Sequence, residues 1–191
     1  MPETKLIGPF TQAVTLQNLP LRGHLSEEHL HVIEQAGILV NGEAIEAVGR
    51  FDELRSQARE VEAVEGAHVV MPGMVDAHTH ICWAGTRAAD YAMRLAGKTY
   101  LEIAQQGGGI RSTVNHTRAA TVEDLTGLTV RRAQTLLRRG VTTIEVKSGY
   151  GLNVEEELKM LRAIRDAGKT AGADLIATCL AAHVMPKDFG G

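Results

Sequence analysis

The chain has 191 residues, is 44% hydrophobic and 23% charged, and carries a net charge of −3 with a pI near 6.2. That composition belongs to a globular chain, and its acidic balance lacks the basic face that a nucleic-acid partner requires. Residues 1–10 show no basic segment leading into an apolar one, and no apolar run reaches the ~18 residues of a membrane span, so neither a secretory signal nor a membrane partner is expected.

Before residue 72 the pattern is one of short strands and polar turns. Residues 11–16 can form a strand. Residues 37–48 predict a hairpin, with Ile38 and Val40 on one arm and Ala44 opening the other. The turn between them falls at Asn41-Gly42, a dipeptide that suits a type I′ turn because both central positions need positive φ. Residues 26–34, which include His29 and His31, form a charged stretch that reads as helical. Residues 51–60 predict a short helix, and residues 68–71 a strand that enters Pro72-Gly73.

From residue 73 onward, strands and helices alternate. The first strand spans 74–80. Residues 90–106 read as one helix that stops at Gly107-Gly108-Gly109. A second helix covers 122–139, with Thr121 as N-cap, Asp124 three residues on as a weak capping box, and Gly140 at its C-terminal end. Residues 141–147 are rich in β-branched side chains and predict a strand. Asn153, with Glu156 three residues later, opens a further helix in which Glu155 and Lys159 form an i,i+4 pair. Residues 174–183 are an apolar strand running into Val184, Met185 and Pro186. Near-continuous apolar strands alternating with helices imply a parallel sheet with helices outside it. A doubly wound sheet and a (β/α)₈ barrel both fit that pattern. The domain division is therefore 1–72, β-rich, and 73–191, built of βα units.

The segment with the most chemistry is Met71 to His80, reading MPGMVDAHTH. Side chains alternate along a strand, so Asp76, His78 and His80 share one face, and two imidazoles at i and i+2 can reach one metal ion. They lie at the C-terminal end of the strand, where barrel active sites are built. Asp76 is placed to support one of the ligands from behind. His29 and His31 have the same spacing, but residues two apart on a helix point to different sides, so that pair reads as surface. His24, His68 and His116 have nothing converging on them. Cys82 and Cys179 are far apart and form no CxxC pair, which fits a reduced, cytoplasmic compartment.

PGMVDAHTH resembles the first barrel strand of the amidohydrolase superfamily. The stretches ICWAGTRAADYAMRLAGKTYLEIAQQGGGIRSTVNHTRAAT, GVTTIEVKSGYGLNVEEELKMLR and LAAHVMP, together with LIGPFTQ near the start, are similar to imidazolonepropionases. The resemblance implies an incomplete TIM-type barrel preceded by the first part of a composite β-sandwich. It implies hydrolysis of 4-imidazolone-5-propanoate to N-formimidoyl-L-glutamate by a metal-activated water, in histidine degradation. It assigns His78 and His80 to one Zn²⁺ or Fe³⁺ ion per subunit, with an open position for water. It makes Arg87, Tyr150 and His183 substrate contacts, with His183 also catalytic, and brings Tyr100 near the substrate. It further implies a homodimer.

The chemistry of each residue is compatible with that role. A guanidinium fork at Arg87 suits a carboxylate, although most arginines are simply solvated. The glycines flanking Tyr150 allow a tight loop that brings its phenol to a site; a turn tyrosine is the alternative. His183 can donate a hydrogen bond or move a proton, or be a satisfied core histidine. The glycines 107–109 lack the Lys-Ser/Thr and the preceding strand of a phosphate loop. Lys147 reads as a partner of Glu145 rather than as the carboxylated lysine of a two-metal site. Two other readings share these residues: another cyclic amidohydrolase or deaminase of the superfamily, and a non-catalytic fragment. A nucleotide-binding α/β domain is disfavoured by the missing phosphate loop.

About three βα units follow Pro72, by the strand and helix periodicity, whereas a closed barrel takes ~250 residues. By resemblance, a third histidine ligand, an aspartate ligand and the acid/base residue belong to later strands. The expectation is that this polypeptide alone is inactive and poorly soluble, with an uncovered sheet edge.

Overall fold

The computed structural model describes residues 4–20 and 22–185; Pro186, noted above, lies outside the described residues. The chain divides into two compact units, Met1–Pro72 and Gly73–Gly191.

In the first unit, β1 (Thr4–Val14) pairs antiparallel with β2 (Val32–Asn41), which pairs antiparallel with β3 (Ala44–Arg50). A short helix, α1 (Phe51–Leu54), and a 3₁₀ turn over Arg55–Gln57 follow, and then β4 (Glu60–Ala63) and β5 (Val69–Val70) both run parallel to β1. The sheet order is β3-β2-β1-β4, with β5 also on β1. Strand β1 starts well before the predicted residue 11. Its register breaks between Ile7 and Phe10, where Gly8 and Pro9 sit and proline has no N–H for the ladder, and this interruption hides the period of two.

The hairpin lies where expected, but its turn is shifted by one residue. Asn41 pairs with Ala44, so the turn residues are Gly42 and Glu43, and of these only Gly42 has positive φ, at 59°. Glycine at the first of two central positions belongs to a II′ turn rather than I′. Asn41 stays in the strand, and its Nδ2 donates to Glu46 Oε1 at 2.7 Å. The stretch expected to be helical is only a 3₁₀ turn, Glu27–Leu30, before β2 begins. There the Ser26 N–H donates to His29 Nδ1 at 2.9 Å, so His29 serves as a capping group. Leu6, Leu39 and Leu54 form the buried centre of this unit, closed over by Phe51 and Val61.

The second unit opens with β6 (Met74–Thr79), followed by α2 (Ala88–Leu95), α3 (Tyr100–Gln105), α4 (Ile110–Ala119) and α5 (Val122–Leu137). Then come β7 (Val141–Lys147), α6 (Val154–Gly168) and β8 (Asp174–Thr178). The helix predicted over 90–106 is two helices. Gly97 turns the chain at φ 82°, and Thr99 starts α3 afresh with a capping box: its Oγ1 accepts from Glu102 N at 3.3 Å while Glu102 Oε2 accepts from Thr99 N at 2.7 Å. Helix α4 had no counterpart in the sequence reading. Thr121 and Asn153 cap α5 and α6 as expected, accepting from Asp124 N at 3.1 Å and from Glu156 N at 2.9 Å. Lys159 pairs with Glu156 at 2.5 Å and donates to Arg118 O, rather than pairing with Glu155. Strand β8 ends at Thr178, short of His183.

Strands β6, β7 and β8 are parallel and lie in sequential order. Ile144 and Val146 of β7 are fully buried in one cluster with Leu125 and Ala133 of α5 and Met160 and Ile164 of α6. Glu145 and Lys147, of opposite strand parity, belong to the other face of the sheet. A doubly wound sheet reverses its strand order and carries helices on both faces; sequential order with helices packed on one face is the wall of a barrel. The fold is therefore part of a (β/α) barrel together with a β-rich unit. Among the described residues, no helix is long and apolar enough to cross a membrane.

Candidate active site

The C-terminal end of β6 presents His78, and His80 follows one residue beyond the strand, with ring centroids 5.5 Å apart. The alternation of the strand brings both imidazoles to the same side. Asp76 does not back either ring: its Oδ1 accepts from the backbone N–H of His78 at 3.2 Å. A short aspartate side chain folds readily onto the amide two residues on, and here that local bond replaces the supporting contact expected of it.

His80 is the centre of a ring cluster. Tyr150 lies 5.7 Å from it and His183 5.0 Å, and these two are 5.7 Å from each other, centroid to centroid. The Nδ1 of His80 is buried with no hydrogen-bond partner among the described residues. Burial, and then the positive charge of His183, His78 and Lys147, hold its pKa below the usual imidazole value against the opposing pull of Glu145. A neutral imidazole with an unsatisfied nitrogen is the form that binds a metal or accepts a proton.

Tyr150 sits in the loop after β7. The Ser148 N–H continues the ladder to Thr178 O at 2.9 Å, and Ser148 Oγ accepts from Leu180 N at 3.0 Å. Gly149 has φ 110°, and a Cβ there would come within 3.0 Å of His183 Cβ, so only glycine lets the two segments approach this closely. His183 comes not from a strand end but from the turn after β8, where its N–H donates to Leu180 O at 3.2 Å. Burial raises the pKa of the Tyr150 phenol, and the charge of Arg87 partly offsets this.

Arg87 immediately precedes α2. Its Nε donates to Thr113 Oγ1 of α4 at 2.8 Å, and its Nη1 lies 3.8 Å from Asp90 Oδ2. With Tyr91, Tyr100 and Ile103 it lines a recess of about 210 Å³ whose walls do not include the ring cluster. Arg87 and Tyr100 thus share one recess, His78, His80, Tyr150 and His183 form another group, and the link between the two is the electrostatic reach of Arg87 to Tyr150. The glycine run closes this recess: Gly109 N donates to Asp90 Oδ2 at 2.8 Å, and a Cβ on Gly108 would meet Asp90 Oδ1 at 2.5 Å. Lys147 contacts Glu145 directly, as expected. Glu145 Oε2 also accepts from Thr79 N at 3.3 Å.

Two residues that support the site escaped the sequence reading. Arg132 of α5 donates from Nη1 to Ile81 O and Trp83 O, both at 2.7 Å, with its guanidinium 3.7 Å from the Trp83 ring centroid. It fixes the segment that leaves His80. Glu157 of α6 is buried and accepts from three backbone amides of the Tyr150 loop. Neither stands in a local motif, because each acts on a segment distant in sequence or folded back across a turn.

As a metal site, the described residues supply two adjacent imidazoles and one orphaned buried nitrogen, which fits part of a ligand set. Among the described residues, no group of three or more His, Cys, Asp or Glu converges to hold an ion.

No family model matches the sequence. It is 43% identical to an imidazolonepropionase of Idiomarina loihiensis over 175 residues, 91% of this chain and 43% of that protein. The chain spans less than half the length of the curated relatives it matches. Guanine deaminase of E. coli shares the fold, with a TM-score of 0.56, 20% identity, and coverage of 91% of this chain and 36% of that one. So does atrazine chlorohydrolase TrzN of Arthrobacter aurescens, solved in complex with zinc, with a TM-score of 0.52, 16% identity, and coverage of 92% and 35%.

Proposed function

We propose that this chain, which is similar to the N-terminal part of imidazolonepropionases over most of its length, forms part of an enzyme that hydrolyses 4-imidazolone-5-propanoate to N-formimidoyl-L-glutamate. One observation carries the reading: His78, His80, Tyr150 and His183 come together at and just beyond the C-terminal ends of three consecutive parallel strands, where barrels of this kind place their chemistry.

In this reading His78 and His80 hold one Zn²⁺ or Fe³⁺ ion per subunit. When bound, the ion supplies an activated water and polarises the ring carbonyl. The zinc of the chlorohydrolase, on the same fold, supports zinc, while histidine ligands suit iron as well. His183 and Tyr150 flank His80, so a small flat ring beside the metal would meet a hydrogen-bond donor on each; His183 can pass a proton to or from that ring. Arg87, always charged, takes the propionate carboxylate, and Tyr100 closes the same recess. The complete enzyme is read as a cytoplasmic homodimer with a small-molecule substrate and neither nucleic acid nor membrane as partner; the two free cysteines are consistent with a reducing compartment.

In this reading two imidazoles serve the metal, and among the described residues no group of three or more His, Cys, Asp or Glu converges, so the 191-residue chain on its own is expected to be inactive. The test is turnover of imidazolone propionate, followed by loss of ring absorbance, in a version extended to the length of its relatives. Turnover is expected there, with a loss of at least ~100-fold in His80→Ala, beyond the 10–100-fold typical when a ligand's supporting shell is removed. Preferential hydrolysis of an unrelated cyclic amide, or wild-type rates in His80→Ala, would sink the reading.

A further inference from the structure

The Tyr150 loop is held from beneath by a group that no step above uses. Residues 148–152 leave the end of β7 and must find partners for their backbone amides. Three of those amides converge on Glu157, four residues into the register of α6 and only 4% exposed. Gly149 N donates to Glu157 Oε2 at 2.9 Å, while Gly151 N and Leu152 N donate to Oε1 at 2.9 and 2.7 Å. A buried carboxylate is tolerated when it accepts several N–H bonds and lies in the first turn of a helix, where the dipole favours negative charge.

The same contacts hold a backbone that would not choose its conformation unaided. Leu152 has φ 59°, in the left-handed region that L residues rarely occupy. Gly151 approaches α6 so closely that a Cβ would lie 2.5 Å from the backbone of Glu156 and Glu157. Tyr150 is thus clamped on both sides, through Gly149 and Gly151. His183 packs on Gly149 from the other segment.

We propose that Glu157 is the positioning residue of the ring cluster: its buried carboxylate folds the loop that sets Tyr150 beside His80 and supports His183 through Gly149. Glutamine has the same shape but puts an NH₂ donor where one carboxylate oxygen stood, so it opposes at least one of the three amides. Aspartate keeps the charge and retracts it by one methylene, so it cannot reach all three. That Tyr150 and His183 attend a substrate rests on the preceding reading. The anchoring does not, and it is read without substrate, so either can fail alone.

The chain contains three tyrosines, Tyr91, Tyr100 and Tyr150, so 3-fluorotyrosine labelling gives a ¹⁹F spectrum of three resonances, with Tyr150→Phe assigning the third. In Glu157→Gln the Tyr150 resonance is expected to shift or broaden while the other two stay. Amide exchange at Gly149, Gly151 and Leu152 should accelerate about ten-fold or more while β7 and α5 keep their rates, as for a local opening. An unchanged Tyr150 resonance with unchanged rates at those three amides overturns the proposal. So does a change spread equally over all three tyrosines and the core amides, which would mark a general structural role. If Glu157→Gln does not fold, Glu157→Asp replaces it: faster exchange at one or two of the three amides with a moved Tyr150 signal supports the anchor, and a wild-type signal and rates refute it.

Discussion

Cys82 and Cys179 show how one residue type takes two characters from its surroundings. Cys82 is fully buried in the barrel core, its Sγ 3.8 Å from Met160 O, and Cys179 is exposed. Burial, only partly offset by a hydrogen bond with Thr129 and the charge of Arg132, pushes the Cys82 thiol up to about 11 from 9.0. A thiol-specific reagent at pH 8 should therefore titrate one thiol per native chain and two in denaturant. Two fast thiols in the native chain would refute the burial of Cys82. The same shift sets a pH dependence. The unfolded chain loses this proton near 9.0, before the folded one does, so the contribution is fully present below that pH and is lost as pH rises toward about 11. Cys82→Ala should flatten that alkaline loss, which is on the order of 2–3 kcal/mol at most. This difference is not legible in the sequence, since spacing alone identifies neither thiol as buried.

Elements were legible where their ends carry local chemistry. Thr121 and Asn153 cap their helices because a side-chain oxygen three residues ahead of a free N–H needs nothing from the rest of the chain. Thr121→Ala should cost roughly 1 kcal/mol in urea denaturation; a loss near zero would mean that the cap is redundant. Helix α4 was missed because its run of Thr, Asn, His and Ser has weak intrinsic helix preference. Packing forms it instead: Thr113, Val114 and Thr117 are buried, and Thr117 Oγ1 accepts from Ala84 N at 3.1 Å. The single helix expected over 90–106 became two for the converse reason, since Gly97 and the Thr99 cap are local signals outweighed in the reading by an apolar period that continues through them. Strand β4 has no counterpart among the predicted elements beyond Glu60, the last residue of the helix expected over 51–60, because its four residues alternate charge and apolarity too briefly to show a period.

Across the whole molecule, the barrel unit has one covered face and one open face. Ile144 is fully buried beneath α5 and α6, whereas Ile176, in register with Glu145, is 55% exposed. Ile144→Ala should therefore cost 2–5 kcal/mol, and Ile176→Ala no more than about 1 kcal/mol. Comparable costs at both positions, measured by denaturant unfolding, would mean that the open face is covered in solution. The sequence by itself determined the strand that carries His78 and leads into His80, two of the caps, the βα rhythm and the resemblance to a hydrolase family, because each is written in residues within a turn or two of one another. Only the tertiary structure decided between barrel wall and doubly wound sheet, brought Tyr150 and His183 against His80, and placed Glu157 under their loop. Strand order and such contacts depend on segments far apart in the chain, whose meeting is settled by packing and by the need of every buried amide for a partner.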